Sequence, residues 1–290
     1  MPPDDRARTL RDALVDDLLR RNILRSPRVA EAMRAVPRHP FAPWLSLEEA
    51  YADRAWIIPG TTPEAPATLS QPTAVALMLE GFDLAPGQRV LEIGAGTGYN
   101  AALMAHLVGP AGRVVTVDIE AQLAEAARER LRFDRNVEVV HGDGACGYPP
   151  LAPYDRIVAT VGAWDLPPAW REQLAPEGRL VVPLHLGGEA QDHVLVSFRR
   201  EGPLLVGVGL CSLGMVLMRG DFAGHGRAAA FQNGPDWRGP PVPGLSVVPS
   251  LRVTAYPRGV PHELRPHEKV IEKPSVRLVL AALDPGEPSG

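Results

Sequence analysis

At 290 residues with 45% hydrophobic and 22% charged side chains, the chain can bury the core of a soluble enzyme domain and carry additions to it. A net charge of −4 offers no electrostatic footing for nucleic acid. No run approaches the roughly 18 apolar residues of a membrane span, and the N-terminus lacks an apolar signal core. Cys146 and Cys211 are too few for a disulfide framework or a zinc cluster, so a cytoplasmic protein without a metal site is expected.

Leu10, Leu14, Leu18 and Leu19 set a helix over 6–21, and Ser26-Pro27 opens a second one that runs through Ala35. From Val36 to Pro66, prolines and aromatics predict irregular backbone packed over something. A helix follows Pro72, with Val75, Met78 and Leu79 on one side. Strand–turn–helix alternation then predicts a parallel sheet with helices on its faces. Strands are expected at 89–93, 113–118, 136–140, 155–160 and 179–183, with helices at 98–108, 120–132 and 167–174 between them. Apolar runs flanking Glu201-Gly202-Pro203 predict an antiparallel hairpin over 193–214. Residues 219–245 thin into Gly and Pro, and strand-like pieces at 246–255 and 275–282 suggest a small appended unit. The implied division is a covering segment over 1–70, a core over 71–215, and a linker with a C-terminal extension over 216–290.

The chemistry concentrates at Arg89–Leu107. A buried strand ends in Glu92-Ile93, and Gly94-Ala95-Gly96-Thr97-Gly98 turns into an apolar helix. Glycines here let backbone approach a ligand, and the helix start offers free N–H groups. The spacing is G-x-G-x-G, whereas a dinucleotide turn needs G-x-G-x-x-G and position 99 is Tyr. Glu92 would repel a pyrophosphate but suits a cationic amino-acid ligand. Asp118, at the end of the second strand, is placed to accept from ribose hydroxyls. Asp143, between Gly142 and Gly144 after the third strand, is placed to accept from an adenine amino group. Its plain alternative is an Asp-Gly turn. These strand ends share one sheet edge, where open α/β folds bind ligands. The combination resembles S-adenosylmethionine-dependent methyltransferases. It implies a class I, Rossmann-like mixed sheet with an N-terminal helical cover, and S-adenosyl-L-methionine as cofactor.

A narrower resemblance rests on Val36-Pro37-Arg38-His39-Pro40-Phe41, Tyr51-Ala52-Asp53, and Ala67-Thr68-Leu69-Ser70-Gln71-Pro72, then on the glycine turn, Gly142-Asp143-Gly144 and Leu180–Pro183. Over roughly residues 8–215 the chain resembles protein-L-isoaspartate O-methyltransferases. That resemblance implies methylation of a side-chain carboxylate in a peptide or protein, the ester then collapsing to a succinimide. It also implies that Ser70 is the active-site residue. A hydroxyl from Ser70, with Thr68 or Gln71, could hold the acceptor carboxylate; the plainer role for Ser70 is to cap the helix after Pro72.

Two features depart from the family's pattern. Val161-Gly162-Ala163-Trp164-Asp165 puts an indole where small residues are usual, which would reshape the acceptor pocket unless Trp164 packs under a loop. Met215–Gly220 replaces an apolar Val-Pro-Leu segment and is followed by about 70 further residues. Extended relatives of this kind tailor aspartate in ribosomal precursor peptides, so that role stands as an alternative. A C-terminal binding module and a small-molecule O-methyltransferase are others, although the last leaves Ser70-Gln71-Pro72 unexplained. Arg38, Arg54 and Arg219 are candidates for holding an anionic peptide, against the usual solvated surface arginine. His262-Glu263 with His267 is one residue too long for a two-histidine zinc helix.

Overall fold

In the computed structural model, residues 3–63, 65–185, 193–201, 204–220, 222–223, 245–247 and 277–280 are described. Two N-terminal helices, α1 (Pro3–Arg20) and α2 (Pro27–Ala35), lead into a short helix α3 (Leu47–Ala50). Ser26 caps α2 as its sequence predicts, its side chain accepting from the Val29 N–H, with Pro27 preset for the first turn. Ser46 and Glu49 close a reciprocal capping box on α3. A two-stranded antiparallel ribbon, β1 (Trp56–Ile57) against β2 (Thr68–Leu69), then delivers the chain to α4 (Pro72–Phe82).

The central sheet begins with β3 (Arg89–Ile93) and β4 (Arg113–Asp118), joined by α5 (Tyr99–Val108). After α6 (Ala121–Arg130) comes β5 (Val137–His141), then β6 (Tyr154–Ala159), α7 (Pro168–Gln173) and β7 (Leu174–His185). An antiparallel pair follows, β8 (His193–Glu201) and β9 (Leu204–Leu213), and short strands β10 (Leu245–Val247) and β11 (Arg277–Leu280) add beyond β9. The order is β10-β11-β9-β8-β7-β6-β3-β4-β5. Strands β5, β4, β3, β6 and β7 run parallel, while β8 and β9 pair antiparallel. The chain leaves β3 in one direction and returns to its other side at β6. The crevice for a ligand therefore opens at the carboxyl end of β3.

Period-2 alternation divides the sheet residues between two cores. Val90, Val114, Val158 and Val181 pack under α4, α5 and the N-terminal helices. Leu91, Ile93, Val115, Val117, Ile157 and Leu180 pack on the opposite face with Trp170 of α7. Arg28 of α2 spans the C-terminal ends of two helices, donating to the Leu84 carbonyl at 2.7 Å and the Leu107 carbonyl at 2.6 Å. The N-terminal cover is thereby part of the main core rather than a loose flap.

Strands 89–93 and 113–118 fall where the sequence places them, and 136–140 and 155–160 shift by one residue. The last parallel strand runs over Leu174–His185 rather than 179–183, with Ala175–Gly178 carried within a strand whose register slips between Tyr154 and Arg156 of its neighbour. Among the described residues no helix is long and apolar enough to cross a membrane, and no cluster of metal-ligating side chains occurs. His262, Glu263 and His267 lie outside the described residues, as does most of 219–245.

Candidate active site

The turn after β3 is built on left-handed backbone: φ is +102° at Gly94, +52° at Gly96 and +89° at Gly98. At Gly94 a Cβ would fall 2.8 Å from the Thr160 hydroxyl oxygen, and that hydroxyl lies 2.7 Å from the Gly94 carbonyl. Thr160, at the end of β6, thus locks the turn from the side. Gly98 caps α5, and a Cβ there would press within 3.0 Å of Leu131. At Gly96 the nearest atom to a Cβ would be the Thr68 carbonyl oxygen, 4.0 Å away. Backbone at Gly96 therefore fronts on open space roofed by β2.

That space is a cavity of about 270 Å³. Seven of the sequence-predicted site residues line it: Thr68, Ser70, Gln71, Gly94, Gly96, Asp118 and Gly144. Asp118, only 6% exposed, accepts from the Gly96 N–H at 2.8 Å and from the Glu120 N–H at 3.0 Å. Burial pushes its pKa up, and those two backbone donors and the nearby Arg219 pull against that. A carboxylate on the wall, a backbone turn with room above it, and apolar Ile119, Leu123 and Val161 alongside fit an adenosyl group.

Glu92, Gly98, Gly142 and Asp143 do not line it. Glu92 is fully buried, accepting from the Thr116 hydroxyl at 2.6 Å and the Asn100 amide at 2.8 Å. Burial raises its pKa to about 7 against those two hydrogen bonds, and the Asp118 charge raises it further. It links β4 to α5 beside the glycine turn and does not line the cavity. Asp143 accepts from the Ala145 N–H at 2.8 Å, so it does form the plain turn. Trp170 fixes the same turn by donating to the Gly144 carbonyl at 2.8 Å. At Gly142 a Cβ would meet only open space.

The acceptor side is organised from the N-terminal cover. Gln71 is the N-cap of α4 but makes no side-chain cap. The cap comes from Asp53, whose carboxylate accepts from the Thr73 N–H at 2.8 Å and the Thr73 hydroxyl at 2.6 Å. Gln71 donates to the Asp53 carbonyl at 3.1 Å, and Arg21 donates to the Asp53 carboxylate at 2.8 Å. Capping is therefore not the job of Ser70. Arg38, one of the arginines considered for peptide binding, has no exposed surface; it donates to the Ser70 carbonyl at 2.7 Å and the Ala50 carbonyl at 2.9 Å. Burial lowers its pKa to about 10, against the pull of Tyr99, Asp53 and Tyr51. Arg54 stacks on Trp56, 4.5 Å from the ring centre.

Residues 212–219 form the remaining wall. This segment crosses the carboxyl edge of the sheet through Gly162, whose N–H donates to the Val216 carbonyl at 2.8 Å and whose own carbonyl accepts from the Met218 N–H at 2.7 Å. Arg219 then pairs with Glu120, two residues beyond Asp118. Trp164 packs partly buried in the second core and does not line the cavity. No local pattern singles out Thr160, Asp53 or Trp170 for these tasks, since each acts on a partner far along the chain.

Residues 9–208 match the family model for protein-L-isoaspartate(D-aspartate) O-methyltransferase (PCMT). The chain is 47% identical over 188 residues to the protein-L-isoaspartate O-methyltransferase of Methanopyrus kandleri, covering 63% of this chain and 81% of that one. Against the Roseiflexus sp. (strain RS-1) protein of the same name, identity is 41% over 215 residues, with 73% and 93% covered. A solved protein-L-isoaspartate O-methyltransferase superposes with a TM-score of 0.66 at 35% identity, over 73% of this chain and 67% of the other. A Plasmodium falciparum β-aspartate methyltransferase (PCMT) crystal structure, in complex with S-adenosyl-L-homocysteine, shares the fold with a TM-score of 0.62 at 22% identity, over 72% and 98% of the two chains. The wall at 212–219 lies just past the family match. This chain belongs to the protein-L-isoaspartate(D-aspartate) O-methyltransferase family.

Proposed function

We propose that this protein methylates the free carboxylate of L-isoaspartyl residues in peptides or proteins, using S-adenosyl-L-methionine. The observation that carries the site assignment is the division of labour at the start of α4: Asp53 caps the helix, so Ser70 can face the cavity with its hydroxyl available to an acceptor. Asp118 would hold the ribose and the 94–97 backbone would border the amino-acid end, with Glu92 linking β4 to α5 beside that turn.

The cofactor supplies a methyl group on a sulfonium, already a strong electrophile. An acceptor carboxylate with a pKa of about 4 is ionised at neutral pH, so the site needs no strong general base. The task left to the protein is alignment. Ser70 donates a hydrogen bond to one carboxylate oxygen and leaves the other to attack, with Thr68 beside it. Gln71, tied to the Asp53 carbonyl, fixes the backbone instead. Apolar Met215, Leu217 and Met218 keep water from the attacking oxygen. The following backbone amide nitrogen then attacks the ester carbonyl and methanol leaves, giving a succinimide without further help from the enzyme.

Tailoring of a dedicated precursor peptide is not favoured: the Methanopyrus kandleri and Roseiflexus isoaspartate enzymes align over 81% and 93% of their own length. A recruited binding module and a small-molecule methyltransferase are likewise not favoured by that alignment. A cytoplasmic location is part of the same reading, supported by the free thiols of Cys146 and Cys211. The net charge of −4 supports protein rather than nucleic acid as partner. Incubation of an isoaspartyl peptide with protein and S-adenosyl-L-methionine should give a base-labile methyl ester that then loses methanol. A peptide that gains no methyl group contradicts the proposal.

A further inference from the structure

The residues around Ser70 are held in an unusual way. Four backbone or side-chain points just after its Cα, on Ser70, Gln71 and Thr73, are fixed by groups from the N-terminal cover. Arg38 grips the Ser70 carbonyl, the Asp53 carbonyl takes the Gln71 amide, and the Asp53 carboxylate takes the Thr73 N–H and hydroxyl. Arg38 comes from the turn after α2 and Asp53 from the turn after α3, so the clamp spans 32 and 20 residues of chain.

Stability alone is a poor reason for Arg38. Its guanidinium has no exposed surface, it meets no carboxylate within ion-pair distance among the described residues, and its Nη1 is buried without a hydrogen-bond partner. A buried cation held by carbonyls and one aromatic face, with the Tyr99 ring centre 5.1 Å away, is costly compared with an apolar side chain of similar size. What the arrangement provides is rigidity at one carbonyl, that of the residue whose hydroxyl meets the acceptor.

We propose that Arg38 and Asp53 are positioning residues for methyl transfer: together they fix the 70–73 backbone so that the Ser70 hydroxyl is presented to the acceptor carboxylate. Neither touches a reacting atom. The proposal rests on the assignment of Ser70 given above. It accounts for why the Val36–Phe41 and Tyr51–Asp53 motifs accompany Ser70-Gln71-Pro72 although the three are separated in sequence.

The test is a pair of double-mutant cycles on the full chain, with turnover on an isoaspartyl peptide at saturating S-adenosyl-L-methionine, S-adenosyl-L-homocysteine affinity by calorimetry, and melting temperature. Arg38→Lys keeps the charge and reaches only one carbonyl; Asp53→Asn keeps the shape and serves if Arg38→Lys does not fold. Each should lower kcat about tenfold with cofactor affinity within about twofold of wild type, since small misplacements suffice for such losses. Combined with Ser70→Ala, neither should lower kcat beyond Ser70→Ala alone, because both act through that hydroxyl. Losses that multiply in the double variants overturn the positioning role while leaving Ser70 in place. A wild-type rate for Ser70→Ala overturns the assignment of Ser70 itself, and the positioning role with it.

Discussion

The Asp118 carboxylate accepts the Gly96 N–H at 2.8 Å, tying the end of the second parallel strand to the middle of the glycine turn that starts at the end of the first. One side chain thus shapes the turn: its other oxygen takes the Glu120 N–H, and each carboxylate oxygen keeps a lone pair for whatever occupies the cavity. Asp118→Ala should weaken S-adenosyl-L-homocysteine binding by about 1–3 kcal/mol, the scale of lost charged hydrogen bonds. Calorimetry checks this; unchanged affinity would remove Asp118 from the ribose site.

Ser70→Ala should separate catalysis from folding. Because Asp53 supplies the cap on α4, loss of the Ser70 hydroxyl should change stability by less than ~0.5 kcal/mol. Turnover should drop by about tenfold or more as the acceptor loses its orienting contact. Urea unfolding beside steady-state kinetics reads both. A large stability loss would instead make Ser70 a structural residue.

Glu92 predicts a pH signature. Its folded pKa is raised from 4.5 to about 7, chiefly by burial, so the folded state holds a proton that the unfolded state has released between those values. Its contribution is fully present below the unfolded pKa and is lost as pH rises through about 7. Glu92→Gln keeps an oxygen for Asn100 and can donate to Thr116, so it should flatten the decline in stability across that range. The slope removed is that of one proton, about 1.4 kcal/mol per pH unit. Parallel stability–pH profiles for the two proteins would contradict this.

Arg219 and Glu120 are each partly exposed, and such a pair adds only about 0–1 kcal/mol to stability. Its expected effect is on the cavity, because it pins the end of the 212–219 wall beside Asp118. Arg219→Ala should leave the melting temperature near wild type and speed cofactor dissociation several-fold, read by stopped-flow fluorescence with a cofactor analogue. An unchanged dissociation rate would separate this wall from cofactor retention.

What the sequence made legible is what depends on local pattern. Strands 89–93 and 113–118 show as short apolar runs ended by turn residues, and Ser26-Pro27 marks a helix start by the same chemistry that caps it. The glycine turn, Asp118 and Ser70 stand out by residue type and spacing, and the structure gathers them around one cavity. Arg38 and Asp53 were visible as motif residues, but their task was not. A buried arginine has the same letter as a solvated one, and a helix cap supplied from 20 residues upstream leaves no local mark. Glu92 and Asp143 illustrate the reverse case. Each sits where a ligand contact is expected; the pleat buries Glu92 in the core, and one oxygen of Asp143 closes a tight turn by accepting the Ala145 N–H. For Trp164 the sequence leaves two places open, the acceptor pocket or packing under a loop, and the structure packs its ring partly buried against the second core.

The most direct test of the account is a paired methylation assay. Two short peptides, identical except for aspartate or isoaspartate at one position, are incubated with the protein and S-adenosyl-L-methionine and followed by mass spectrometry. The account predicts rapid methylation of the isoaspartyl peptide and little or none of the aspartyl one. Equal rates on both, or methylation of the aspartyl peptide alone, would contradict it.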